Sequence, residues 1–239
     1  MENTIVNDIK KIIDESINLV EIQGETYSNK DLRLIRHTDM AEKLCFNDLS
    51  SIVSMIKQEK TKFNLPLYIN IESATRVSVF TSMDSHKDRE MPYVAHCSDC
   101  RFNFGREYSY EDFIIALRSQ FVQNEDTANL LTVLKKITNS NTVETEDDGI
   151  TQKITAQQGA TLNNVVKAAP INKLSPFRTF NEVAQPTSEF LFRVKEGGRF
   201  ALFEADGGAW ELAAKRNIAE FFSEQLADEI NEGTVILVG

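Results

Sequence analysis

Cysteine is scarce in this chain, with three in 239 residues. An odd, low count excludes a disulfide-stapled scaffold and points to a reducing compartment with free thiols. Basic residues are also in deficit, 26 Lys and Arg against 36 Asp and Glu, for a formal net charge of −10. That sign argues against sequence-independent nucleic-acid binding, which depends on cations neutralising phosphates. Histidine occurs three times, at His37, His86 and His96, in loop-like or strand-end contexts, and no nucleophile elbow is present. A Ser-His-Asp or Cys-His catalyst has no anchor here. No apolar run approaches the roughly 20 residues of a membrane span. The opening residues Met1-Glu-Asn-Thr-Ile-Val-Asn-Asp8 lack the basic and apolar regions of a signal peptide. The expectation is a cytoplasmic protein with no membrane partner.

What is present is globular material, 41% apolar and 26% charged, without repeats or a low-complexity linker. A chain of this length buries a sizeable core unaided. The organising stretch is Phe200-Ala-Leu-Phe-Glu-Ala-Asp-Gly-Gly-Ala-Trp210, a strand that stops at Gly207-Gly208 and runs into a helix. Phe190-Leu-Phe-Arg-Val-Lys195 precedes it across Glu196-Gly197-Gly198, a strong hairpin signal because Gly supplies positive φ without steric cost. Trp210, Ala214, Ile218, Phe222 and Leu226 then stripe one face of a long helix that Gly233 ends, and Thr234 to Val238 forms a short apolar strand.

Upstream, Ile5, Ile9, Ile12, Ile13, Ile17 and Val20 predict a helix over 4–23, with Thr4 as cap and Gly24 as stop. Asn47 caps a second helix that runs to Phe63, where Leu65-Pro66 breaks it. Leu67, Ile69 and Ile71 alternate with polar neighbours, and strands over 76–83 and from Met91 complete an antiparallel meander. Ser109 caps a helix over 110–121, with Asp112 at its third position, and a helix over 124–137 follows after a short link. Residues 139–148 read as an acidic loop before a strand over 150–156. Pro170 and Pro176 place 159–180 along a sheet edge or between layers. The expected fold class is α+β. Antiparallel sheets form two blocks with helices packed around them, and a C-terminal β-hairpin is followed by a long amphipathic helix. Residues 1–64 are expected as a helical arm and 65–239 as one α+β domain, with a sub-boundary near 139–149.

Four groupings carry chemical interest. Cys97 and Cys100 form a Cys-x-x-Cys pair beside His96, yet a structural zinc site needs four ligands, and an incidental pair at a strand end is the plainer reading. Glu144, Glu146, Asp147 and Asp148 precede Gly149, and Glu204, Asp206 and Glu211 surround Gly207-Gly208. Clustered carboxylates suit a divalent cation, but Asp148-Gly149 also makes a turn and Asp206 sits near a helix cap. The Gly207-Gly208 turn lacks Lys, Ser and Thr, which disfavours phosphate there. Lys30, Arg33, Arg36 and His37 are the most basic cluster, either a solvated loop or an anion contact.

Phe177-Arg-Thr-Phe-Asn-Glu-Val-Ala-Gln-Pro186, Ser188-Glu-Phe-Leu-Phe-Arg193 and Ala201-Leu-Phe-Glu-Ala-Asp-Gly-Gly-Ala-Trp210 resemble the C-terminal half of the YfdQ-like family of phage and prophage proteins, a domain of unknown function. Asp112-Phe-Ile-Ile-Ala-Leu117, Phe121, Asp126 and Asp147-Asp-Gly-Ile-Thr-Gln152 resemble the same family, so the likeness covers roughly residues 65 to 230. The resemblance implies phage origin and the host-cell cytoplasm. It brings no established activity and no catalytic residue.

The leading expectation is a phage-encoded accessory protein that acts without catalysis, by self-association and by binding a host or phage factor, host-defence antagonism being one version. It needs no cofactor. One alternative is a metal-dependent phosphoesterase that gathers Asp147, Asp148, Glu204 and Asp206 around a divalent ion. The other is a sponge for a small anionic nucleotide, held at a subunit interface by Arg33, Arg36, Arg178 or Arg193.

Overall fold

A computed structural model of the chain describes residues 6–7, 10–11, 16, 19–22, 25–28, 42–84, 87–97, 101–138, 142–147, 152–157, 163–167, 171–195 and 197–238. The chain divides into two compact units, Met1–Met40 and Ala41–Gly239. The division therefore falls well before residue 64, where the helical arm was expected to end. In the first unit β1 (Leu19–Ile22) pairs antiparallel with β2 (Glu25–Ser28), Leu19 opposite Ser28. The helix expected over 4–23 thus gives way to a strand at Leu19. β-Branched Val20 and Ile22, followed by Thr26 and Tyr27, favour the extended chain.

The second unit opens with β3 (Leu44–Phe46) and α1 (Leu49–Glu59). Asp48, not Asn47, caps α1, because its side chain accepts from Ser51 N at 2.7 Å. Leu49, Ile52, Val53 and Ile56 form the buried stripe. β4 (Leu67–Ser73), β5 (Arg76–Phe80) and β6 (Tyr93–His96) make the expected antiparallel meander. The sheet is nonetheless mixed, in the order β13-β4-β5-β6-β3, since β13 (Val235–Val238) joins β4 in parallel and β3 joins β6 in parallel. Parallel partners are joined by long crossovers and leave no hairpin signal in the sequence, so the antiparallel expectation fails at both edges.

α2 (Tyr110–Gln120) and α3 (Glu125–Thr138) form the helical hairpin. Ser109 caps α2 by accepting from Asp112 N at 3.2 Å. The link terminates one helix and starts the next. Gln123 Nε2 donates to the Leu117 and Phe121 carbonyls, both at 2.9 Å, while Asn124 Oδ1 accepts from Thr127 N at 2.9 Å. β7 (Thr142–Asp147) pairs with β8 (Gln152–Gln157), and β8 with β9 (Asn163–Lys167), in a separate antiparallel sheet. The acidic loop expected over 139–148 is therefore largely strand: Thr142, Val143 and Thr145 supply extended propensity that the interleaved acids do not cancel.

β10 (Ile171–Leu174), β11 (Ser188–Lys195) and β12 (Arg199–Glu204) form a third sheet in that order, with β10 at its edge as the prolines suggested. Gly207 and Gly208, at φ 62° and 83°, turn the chain into α4 (Ala209–Gln225), and α5 (Ala227–Asn231) leads to β13. Two cores result. α1 and α4 pack on the five-stranded sheet through Ile52, Ile56, Ile69, Val79, Ile218 and Phe222. The α2–α3 hairpin packs on β10–β12 through Phe113, Leu117, Leu134, Phe190, Phe192 and Phe200. The chain over 175–181 runs between them.

Candidate functional site

The connection over 175–181 is irregular. Phe177 and Asn181 face outward, whereas Arg178, Thr179 and Phe180 are buried. It is held on both sides. Val122 N donates to Ser175 O at 2.8 Å and Phe177 N to Gln120 O at 2.9 Å, tying it to the end of α2. Thr179 Oγ1 donates to Ala74 O at 2.5 Å, tying it to the β4–β5 turn. Gln185 Oε1 accepts from Arg178 N at 3.0 Å and Thr179 N at 3.2 Å.

Arg178 is the strut of this region, a guanidinium only 2% exposed. Nη1 donates to Glu204 Oε1 at 2.8 Å and Nη2 donates to Ser188 Oγ, which in turn donates to Asp206 Oδ2 at 2.6 Å. The guanidinium carbon lies 3.9 Å from the Trp210 ring centroid and 5.7 Å from that of Phe190. One side chain thereby ties β11, β12, the Gly207-Gly208 turn and the first turn of α4 together. Glu204 remains 40% exposed on its side chain, so this pair is solvated at one end. Asp206 Oδ1 also accepts from Gly208 N at 3.2 Å. Burial alone would raise the Asp206 pKa. The Ser188 hydroxyl, the Gly208 N–H, the Arg178 charge and the Trp210 N–H outweigh it and hold the carboxyl below its ordinary 3.8.

A depressed carboxylate stabilises the fold fully above its unfolded pKa and loses that contribution as pH falls through the lower folded value. Asp206→Asn is therefore expected to weaken the protein near neutrality, with the gap to the parent closing once pH drops below about 3.8. Urea midpoints of the two proteins across that range check it, and a pH-independent gap would contradict it.

These contacts decide the environment of most residues singled out in the sequence. Arg178, Glu204, Asp206, Gly207, Gly208 and Trp210 do come together, around a buried cation. Arg193 lies on β11 and donates to the Phe192 carbonyl at 3.1 Å. Asp147 ends β7, in a different sheet. Arg33, Arg36, Asp148 and Cys100 lie outside the described residues, while Cys97 is buried. Among the described residues no three His, Cys, Asp or Glu side chains gather as metal ligands. No helix among them is long and apolar enough to cross a membrane.

Two further features stand out. The first is β13. Val235 and Leu237 face the core, and Ile236 and Val238 are each 40% exposed on the opposite face. Ile236 sits beside Tyr68, and Tyr68 opposite Phe80, with those two rings stacked at 5.3 Å. An apolar row thus spans β5, β4 and β13, with the Arg89 guanidinium over the Tyr68 and Phe80 rings, and ends at β13, whose outer edge no strand occupies among the described residues. The second is a cleft of about 550 Å³ between the two cores. Thr179 and Cys97 are its buried residues, and Phe177, Asn181, Arg101 and Gln120 line it from three chain segments.

No protein-family model matches the chain, and no curated protein and no solved structure matches it either. The chemistry of the site rests on its own residues. The sequence did not single out Arg101, Gln120 or Asn181, because they come from separate segments that only the packing of two cores brings together. One local signal was present: Phe177 and Asn181 share a register that Arg178 and Phe180 do not.

Proposed function

We propose that this is a phage accessory protein that acts by binding rather than by catalysis, and that its first partner is a second copy of itself. The observation that carries the reading is β13, an uncharged Val-Ile-Leu-Val strand on the open edge of the central sheet, continuous with the Ile236–Tyr68–Phe80 row. Open strand edges pair with other chains unless charge, proline or a bulge prevents it, and β13 carries none of the three. Pairing of two identical edges about a two-fold axis closes on itself, which favours a dimer over a fibre. The resemblance to YfdQ-like phage proteins supports the accessory role, with a host or phage factor as the further partner.

Light scattering on the full chain tests this. The parent is expected to have the mass of a dimer and Ile236→Lys that of a monomer, with unchanged helix and strand content because Ile236 is exposed. A parent protein that is monomeric at tens of micromolar, or a dimer that survives the lysine, removes the support.

A further inference from the structure

The geometry points to the cleft between the two cores as a binding site for a small nucleotide, a flat base carrying one phosphate. Its volume of about 550 Å³ falls within the span of small-molecule sites and exceeds what a lone inorganic anion fills. Two side chains divide the ligand between them. Arg101 is exposed and is the one charged group among the described lining residues, so it selects an anion, and a guanidinium fork matches phosphate oxygens. Phe177 is 44% exposed and offers a ring face on which a base can stack.

These groups are already positioned. Phe177 N donates to Gln120 O at 2.9 Å, which fixes the backbone carrying the stacking ring to the end of α2. Thr179, one residue beyond the Arg178 strut, is pinned at the cleft by its bond to Ala74 O. Asn181 and Asn47 add amides that can read base edges or ribose hydroxyls. The site is separate from β13, so its occupancy does not depend on self-association. It also relocates the anion contact, which the sequence placed at Arg33, Arg36, Arg178 or Arg193, to Arg101.

Isothermal titration of the full chain with AMP, CMP, GMP and UMP, and in parallel with adenosine and inorganic phosphate, tests the proposal. At least one nucleotide is expected to bind about tenfold or more tighter than either phosphate or adenosine alone, since both halves of the ligand are held. Arg101→Gln and Phe177→Ala are each expected to weaken that binding about tenfold or more, and neither side chain is part of a core. Three results would overturn it. One is no binding by any of the four nucleotides. Another is phosphate binding as tightly as the nucleotides, which would reveal an anion contact alone. The third is nucleotide affinity that survives both substitutions.

Discussion

Arg178→Ala is expected to lower the unfolding free energy by about 3 kcal/mol, near the low end for breaking a buried ion pair. Three losses combine. Glu204 and the Ser188–Asp206 pair lose their shared donor, Trp210 loses the cation stacked on its face, and a large fully buried side chain leaves a void. The effect stays at the low end because the Glu204 side chain is 40% exposed and regains water when the arginine is gone. For a chain of this size, about 3 kcal/mol corresponds to a fall in melting temperature of roughly 6–12 °C. Arg178→Lys is expected to restore less than half, because one ammonium cannot reproduce the fork that spans Glu204 and Ser188. Arg101→Ala, at an exposed position, is expected to change stability by no more than about 0.5 kcal/mol. Urea titrations of the three variants separate these outcomes. A loss below about 1 kcal/mol for Arg178→Ala would show that the strut does not join these elements energetically.

Phe113→Ala is expected to cost about 4 kcal/mol, the larger of the two effects. Phe113 is fully buried on α2, and its ring is surrounded by Phe102, Tyr108, Phe192 and Phe200 at centroid distances of 6.1, 6.0, 5.9 and 5.7 Å. Neighbours on two strands and a loop cannot all collapse into the space, so most of the cavity term persists. Phe113→Leu, which keeps much of the volume, is expected to cost about 1–1.5 kcal/mol. Ile115, two residues further along the same helix, is 56% exposed, and Ile115→Ala is expected to stay within about 0.5 kcal/mol. Thermal melts of the set read the contrast. Equal effects at 113 and 115 would mean that α2 does not pack on the sheet through the face described.

Where local pattern and tertiary context agree, the structure was legible. The alternation of Leu67, Ile69 and Ile71, the hairpin through Gly197-Gly198, and the stripe Ala214, Ile218, Phe222 and Leu226 all appear as read, because each is set by a periodicity within one segment. What was not legible depends on distant partners. Nothing near Val235-Ile-Leu-Val238 states that it pairs in parallel with β4, more than 160 residues earlier. Leu19 to Ile22 fits a helical stripe and a strand equally well, and pairing with β2 decides it. Arg178 looked like a surface ligand for an anion. Its environment is set by Ser188, Glu204, Asp206 and Trp210, of which the sequence reads only Glu204 and Asp206 as part of a turn or a cation site. The cleft had no local pattern at all beyond the outward register of Phe177 and Asn181.

Self-association along β13 is tested most directly by amide hydrogen exchange in that strand. Leu67 N donates to Thr234 O at 2.9 Å, which sets the parallel ladder so that the Ile236 and Val238 N–H groups face β4 and the Leu237 N–H points to the open edge. The Ile236 amide is therefore protected in monomer and dimer alike. Among the described residues no strand pairs with the Leu237 amide, and a second chain on that edge would protect it. Exchange at Leu237 that slows as protein concentration rises, and that speeds up again in Ile236→Lys, is the result expected. Exchange at Leu237 that is the same in dilute and concentrated protein would contradict the account.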